Sequence, residues 1–92
     1  MKEIKDIHGK LIMTVESDTL TRAIFDGLDL SGADFRGADL RYAKFIRCKV
    51  DGADFRGADM LAASLVWTDF RTAVSDKTTK MPASLPNRPH YL

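Results

Sequence analysis

The sequence predicts an all-β solenoid in which the backbone turns a sharp corner once every five residues. An identical run of eight residues, Gly-Ala-Asp-Phe-Arg-Gly-Ala-Asp, occupies residues 32–39 and returns twenty positions later at residues 52–59. The phenylalanines of the chain all lie at positions divisible by five: Phe25, Phe35, Phe45, Phe55 and Phe70. Repetition at a fixed period is the sequence signature of a solenoid, a fold that stacks similar units along one axis.

A period of five fits neither a regular helix nor a straight strand. On an α-helix a step of five residues rotates the side chain by about 140°, so no single face collects the large residues. In a strand the side chains alternate with period two, so an odd repeat moves the large residue to the opposite face each time. A corner in every repeat removes both objections. Four corners then return the chain to its starting side after twenty residues, the interval that separates the identical runs.

Each repeat is predicted to point one large and one small side chain inward. The large residues stand at every fifth position: Phe25, Leu30, Phe35, Leu40, Phe45, Val50, Phe55, Met60, Leu65 and Phe70. The small residues stand two positions earlier: Ala33, Ala38, Ala43, Cys48, Ala53, Ala58 and Ala63. The lone Cys48 is therefore interpreted as a buried thiol that fills a small space. A coil of twenty residues predicts that Phe25 stacks on Phe45 and Phe35 on Phe55.

The runs at residues 33–37, 38–42 and 53–57 resemble the pentapeptide-repeat family, whose motif is Ala, then Asp or Asn, then Leu or Phe, then two variable residues. The resemblance covers about residues 20–74. It implies a right-handed quadrilateral β-helix of under three coils, with the small and large residues inside. The match is weaker where Leu28, Cys48 and Thr68 replace alanine and where Lys44, Lys49 and Ser64 replace aspartate.

The N-terminal segment, residues 1–19, is predicted to be a β-hairpin that caps the solenoid. A turn is expected at His8-Gly9, and residues 11–15 are apolar and rich in β-branched side chains. A cap is expected because an open solenoid end exposes unpaired backbone groups. Residues 19–25 fit a short helix and a first coil equally well, and both readings stay open.

The C-terminal segment, residues 75–92, is predicted to be an extended tail. The five-residue pattern breaks at residues 76–82, and no periodicity follows. Three prolines stand in this segment: Pro82, Pro86 and Pro89. We therefore divide the chain into a hairpin cap at 1–19, a β-helix at 20–74 and a tail at 75–92.

The charges of the solenoid nearly balance. The formal net charge of the chain is +1 at pH 7, and residues 26–75 hold eight aspartates against seven arginines and lysines. The resemblance implies that some relatives are acidic mimics of DNA that bind topoisomerase. A mimic needs an excess of negative charge along one face. Here Arg36 and Arg56 follow Asp34 and Asp54 by two residues. Neither a DNA mimic nor a basic nucleic-acid-binding surface is favoured, and no nucleic-acid partner is expected.

The sequence predicts no catalytic, metal-binding or cofactor-binding residues. The aspartates recur once per repeat, which indicates a solvating ring and not an acid–base pair. His8 and His90 stand far apart, and no ligand spacing accompanies them. Gly32 and Gly37 mark corners, and no Lys-Ser or Lys-Thr follows them as a phosphate loop requires. We therefore expect a protein that is not an enzyme and carries no cofactor.

The expected location is the cytoplasm. With one cysteine, the monomer can form no disulfide, which suits a reducing compartment. The sequence shows neither a secretory signal nor an apolar run long enough to cross a bilayer. No membrane partner is expected.

The positions that follow the large core residues are usually polar, but one group of them is apolar or aromatic. The candidate interface residues are Tyr42, Ile46, Arg47, Leu61, Val66 and Trp67. A coil of twenty residues places Ile46 beside Val66 and Arg47 beside Trp67, where the guanidinium can stack on the indole. Two readings stay open. In one, the tail folds back over this patch with Leu85, Tyr91 or Leu92 in contact; in the other, the patch binds a protein.

The sequence favours a structural or protein-interaction module that presents a rigid β-helical surface. Its protein partner is unknown, and a homodimer that stacks its terminal coils is one such partner. The alternative, implied by the resemblance, is a protector or inhibitor that binds gyrase by mimicking DNA.

Overall fold

The computed structural model describes residues 1–82, and this part of the chain contains β-strands and turns and no helix. Its five strands are β1 (Lys2–Lys5), β2 (Leu11–Val15), β3 (Ile24–Asp26), β4 (Lys44–Ile46) and β5 (Ser64–Val66). The tail contacts expected of Leu85, Tyr91 and Leu92 fall outside the described residues.

Strands β3, β4 and β5 form a parallel sheet in which each residue lies beside the residue twenty positions later. Phe25 pairs with Phe45, and Phe45 with Leu65. The same register continues where no strand is assigned, as in the bridge between Asp34 and Asp54. The chain therefore advances by one strand spacing, about 4.8 Å, in every coil of twenty residues.

The large residues of the repeats form one continuous core. Every large residue named above is buried, and so is every small one except Ala38, which is partly buried. The rings of Phe25 and Phe45 stack with centroids 4.9 Å apart, and those of Phe35 and Phe55 with centroids 5.0 Å apart. The predicted stacks are therefore present. Each fully buried large side chain contributes about 1.5–3 kcal/mol to the free energy of folding.

At the ten corners from residue 22 to residue 67 the second residue adopts a left-handed backbone conformation. Glycine suits this conformation because it has no Cβ, and Gly32 and Gly52 have φ of 73° and 69°. Five corners carry other residues at φ between 51° and 65°: Arg22, Tyr42, Arg47, Ala62 and Trp67. All five stand at the corners on either side of the β3–β5 sheet. Each such residue is strained by about 1–2 kcal/mol relative to a right-handed conformation.

The corner that follows the sheet is held by side chains. At an ordinary corner the N–H of Ala33 donates to the C=O of Leu30, three residues back, at 3.1 Å. The N–H of Cys48 instead donates to Oγ1 of Thr68 at 3.1 Å, and that hydroxyl donates to the C=O of Phe45 at 3.0 Å. Cys48, one coil before Thr68, makes the equivalent bond: its thiol donates from Sγ to the C=O of Phe25 at 3.1 Å. Cys48 and Thr68 therefore supply polar side-chain atoms that alanine would lack, and filling space is only part of what Cys48 does.

The N-terminal segment forms an antiparallel hairpin of β1 and β2, with a register shift between Ile4 and Lys5. Oδ1 of Asp6 accepts the N–H of His8 at 2.8 Å and so closes the turn. The hairpin pairs with the first coil through the N–H of Asp34, which donates to the C=O of Lys5 at 2.8 Å. Ile4 is buried in the core. Residues 19–25 contain a turn followed by the start of β3, so here the structure has a first coil and no helix.

Pairing between coils continues past residue 74. The N–H of Lys80 donates to the C=O of Ala58 at 2.9 Å, and the N–H of Met60 donates to the C=O of Lys80 at 2.8 Å. Lys80 also bridges to Asp59, which stands twenty-one positions earlier instead of twenty. The break in the sequence pattern at residue 76 is therefore a lengthening of the coil by one residue, and the coil continues to the end of the described region.

The side-chain hydrogen bonds at the corner that follows the β3–β5 sheet yield a stability prediction. Thr68→Val keeps the shape of the side chain but leaves the N–H of Cys48 and the C=O of Phe45 without the hydroxyl. Because both groups are buried, we expect unfolding to become easier by about 1–3 kcal/mol, measured by urea denaturation. Thr14→Val, at an exposed residue of the hairpin, is the control and should change stability by less than about 0.5 kcal/mol. Equal stability of Thr68→Val and the parent protein would contradict the assignment.

Candidate functional site

Half of the outward residues of the β3–β5 sheet are apolar, namely Ile24, Ile46 and Val66, and they lie beside Asp26, Lys44 and Ser64. Since Phe25, Phe45 and Leu65 point inward, the residues next to them in each strand point outward. We call this surface and its two flanking corners the apolar face. Its apolar members are Ile24, Tyr42, Ile46, Leu61, Val66 and Trp67. Among residues 1–82, the other exposed large apolar side chains are Met1, Ile7 and Leu11 of the N-terminal segment and Val74 on a different side.

The six residues that the sequence analysis named as a candidate interface lie on this face or at its corners. Ile46 and Val66 are register partners on neighbouring strands. At the preceding corner the N–H of Tyr42 donates to the C=O of Leu61 at 3.1 Å. At the following corner the N–H of Arg47 donates to the C=O of Val66 at 2.9 Å. A chain segment of five residues joins the two corners, so they lie at most about 17 Å apart.

The cation–π contact expected between Arg47 and Trp67 is not made. The guanidinium of Arg47 donates to Oδ1 of Asp26, one coil earlier, at 2.7 Å. Within residues 1–82, the cation–π contact present is that of Arg22, whose guanidinium lies 4.7 Å from the ring centroid of Tyr42. The expectation was wrong because an ion pair was available to Arg47 on the preceding coil.

Three residues of this face are absent from the set predicted from the sequence: Ile24, Arg22 and Lys44. Ile24 is 65% exposed at the start of β3, and Arg22 stands at the corner before it. The signal that identifies Ile24 is its place immediately before Phe25, which matches that of Lys44 before Phe45. It was overlooked because residues 19–25 also suit a helix.

Trp67 is the most exposed large apolar residue of the described chain. Its side chain is 81% exposed, and its φ is 54°. For a bulky residue this left-handed conformation is an outlier, whereas glycine adopts it freely. The residue two coils earlier in the same column is a glycine, Gly27. The ring of Trp67 therefore adds strain and an exposed apolar surface, and little of its area helps the fold.

The other faces carry ion pairs between aspartate and arginine. Arg36 donates from Nε and Nη2 to the carboxylate of Asp34, each at 2.9 Å, two residues earlier in the same repeat. Ion pairs of the same spacing join Arg41 to Asp39, Arg56 to Asp54 and Arg71 to Asp69. Hydrogen bonds from the Arg41 side chain lower the pKa of Asp39 from 3.8 to about 2. The Arg36 and Arg56 side chains likewise lower the pKa values of Asp34 and Asp54.

The described residues form no cluster of three or more His, Cys, Asp or Glu that could hold a metal ion. Within residues 1–82 there is also no helix with the length and apolarity needed to cross a membrane.

Comparison with known proteins gives one family. The family described as pentapeptide repeats matches in eight copies, over residues 19–50 and 38–74. A solved structure with similar coordinates is that of Rfr23, a pentapeptide repeat protein from the cyanobacterium Cyanothece 51142. The two share 27% identity and a TM-score of 0.65, over 68% of this chain and 43% of that one. The chain thus corresponds to less than half of the Rfr23 structure. No curated protein matches the sequence.

The Asp–Arg pairs yield a pH prediction. Because the folded-state pKa of Asp39 lies below its ordinary value of 3.8, the ionised pair stabilises the fold above about pH 4. That stabilisation is lost as the pH falls through about 2. We expect the midpoint of thermal unfolding, followed by circular dichroism, to drop between pH 4 and pH 2. Asp39→Asn should be less stable at pH 7 and lose less than the parent on acidification. Identical pH profiles for the two proteins would contradict a stabilising pair.

Proposed function

The chain belongs to the pentapeptide-repeat family, and we propose that it is a non-enzymatic interaction module that presents the apolar face to a protein partner. One observation carries the proposal: Trp67 is 81% exposed in a strained backbone conformation. The described part of the fold gives this ring no packing role. A partner that buries the ring does supply one.

The composition of the apolar face supports a protein partner. Contiguous exposed apolar groups mark association surfaces on soluble proteins. Tryptophan, tyrosine and arginine are the residues that most often dominate binding energy, and Trp67, Tyr42 and Arg22 all stand on this face or its corners. The backbone beneath them is tied to the neighbouring coil, as in the bond from the N–H of Arg47 to the C=O of Val66. A surface held in this way loses little entropy on binding.

We also propose that the repeats form a right-handed quadrilateral β-helix with the N-terminal hairpin as its cap. Pairing as far as Lys80 extends the expected length of under three coils to about three. A corner in every five residues and a parallel register of twenty support four sides. Burial of Ile4 and the bond from Asp34 to Lys5 support capping, because they cover the core and occupy backbone groups of the first coil.

The ion pairs argue against the alternative function, binding to gyrase by mimicry of DNA. Mimicry requires carboxylates that stay uncompensated along a face. Arg36 and Arg56 compensate Asp34 and Asp54 within the same repeats. The apolar face therefore supports an interaction module better than a DNA mimic.

The proposal predicts that binding and stability respond differently to one substitution. Trp67→Gly removes the exposed ring and relieves the left-handed strain. We expect stability to stay equal or to rise by up to about 1 kcal/mol, because the relief exceeds the added chain entropy of glycine. We expect partner binding to be lost. Val74→Ala, at an exposed apolar residue outside the apolar face, is the matched control and should change neither property.

Binding is measured by photo-crosslinking in the native lysate, with p-benzoylphenylalanine in place of Leu61 or, as a control, of Val74. Mass spectrometry of the product identifies what covers the face. A protein crosslinked from position 61, absent from position 74 and lost in Trp67→Gly, is the expected result. Crosslinks from position 61 to residues 83–92 of the same chain would show that the tail covers the face and would contradict the proposal.

A further inference from the structure

We propose that the partner segment bound by the apolar face is acidic as well as apolar, with carboxylates that contact Lys44 and Arg22. This inference rests on the proposed function and concerns the charge of the partner. It follows from the charges of the faces: arginines on other faces pair with aspartates, whereas Lys44 and Arg22 on this face have no carboxylate in a salt bridge within residues 1–82.

The apolar face carries positive charge without a matching carboxylate. Lys44 is exposed in the middle of the sheet, in register between Ile24 and Ser64. Neither Lys44 nor Arg22 makes a salt bridge to any residue within 1–82. The third cation of the face, Arg47, is paired with Asp26 at 2.7 Å. Two positive charges therefore stay uncompensated by the described residues.

The cause lies in one column of the repeat. On the other faces this column is mostly aspartate, as in Asp34 before Phe35, and where an arginine stands two positions later, as Arg36 does, it pairs with the carboxylate. On the apolar face this column holds Ile24, Lys44 and Ser64, so the face lacks the acidic column that neutralises the others. A partner can supply that charge.

The spacing of the face limits the shape of the partner segment. Lys44 and Ile46 stand two residues apart on one strand, about 6.6 Å, and Ile46 lies beside Val66. An extended segment with an acidic residue and an apolar residue two positions apart places its carboxylate near Lys44 and its apolar side chain near Val66 and Trp67. Opposite charges on the apolar face and on the partner segment also raise the rate of association.

The test uses Trp67 as a native reporter, since it is the only tryptophan of the chain. The probe is a synthetic peptide of three Glu-Ser-Phe-Ser repeats, and its partner peptide has lysine in place of each glutamate. We expect the acidic peptide to shift the Trp67 emission to the blue, with half-saturation below about 1 mM and weaker binding at higher salt. The lysine peptide should bind at least about tenfold more weakly.

Charge reversal on the face tests the contact itself. Lys44→Glu should weaken binding of the acidic peptide about three- to tenfold. Lys10→Glu makes the same change of net charge in the hairpin turn and should leave binding unchanged. Equal binding of both peptides, no emission shift with either, or no effect of Lys44→Glu would overturn the inference. So would an emission shift produced by phosphatidylserine vesicles and not by the acidic peptide. In each of these cases a protein crosslinked from position 61 would still support the interaction module. The peptide experiment can therefore contradict the acidic partner without contradicting the proposed function.

Discussion

The stacking of large inward side chains on the residues twenty positions away is the interaction on which the rest of the structure depends. Phe45 is its centre: its ring stacks on Phe25 and meets Phe35, Phe55 and Phe70 edge-on at 5.7 to 6.1 Å. The parallel backbone ladder holds these rings in register. Because neighbouring residues of a strand point to opposite sides, fixing Phe45 inward also fixes Lys44 and Ile46 outward.

The chemistry of each outer face is set by columns of residues that occupy the same position in successive coils. Each outward position repeats once per coil, so a face takes its character from a few residues stacked above one another. Where the column before the core residue is aspartate, as at Asp34 and Asp54, arginines compensate it and the face is polar and balanced. Where the column holds Ile24 and Lys44, the face is apolar and positively charged. The strained corner residues, Trp67 among them, flank this face.

The five-residue period was enough to predict the core, the ring stacks and the grouping of six outward residues around one sheet, because burial depends on size and spacing, which sequence displays. The partner of Arg47 was missed because Asp26 and Trp67 are both neighbours of its corner, and only the geometry decides between them. The hydroxyl of Thr68 was missed because periodicity reports the size of a residue and not its bonds. The extra residue before Lys80 was missed because a lengthened coil breaks the pattern as an ending would.

Solution NMR of the chain can show whether the large side chains stack from coil to coil, through nuclear Overhauser contacts between residues twenty positions apart. We expect ring-to-ring contacts from Phe25 to Phe45 and from Phe35 to Phe55, whose centroids lie 4.9 and 5.0 Å apart. We also expect backbone contacts between β3 and β4. Contacts three and four residues apart throughout residues 20–74, without those ring pairs, would show a helical chain and would contradict this stacking.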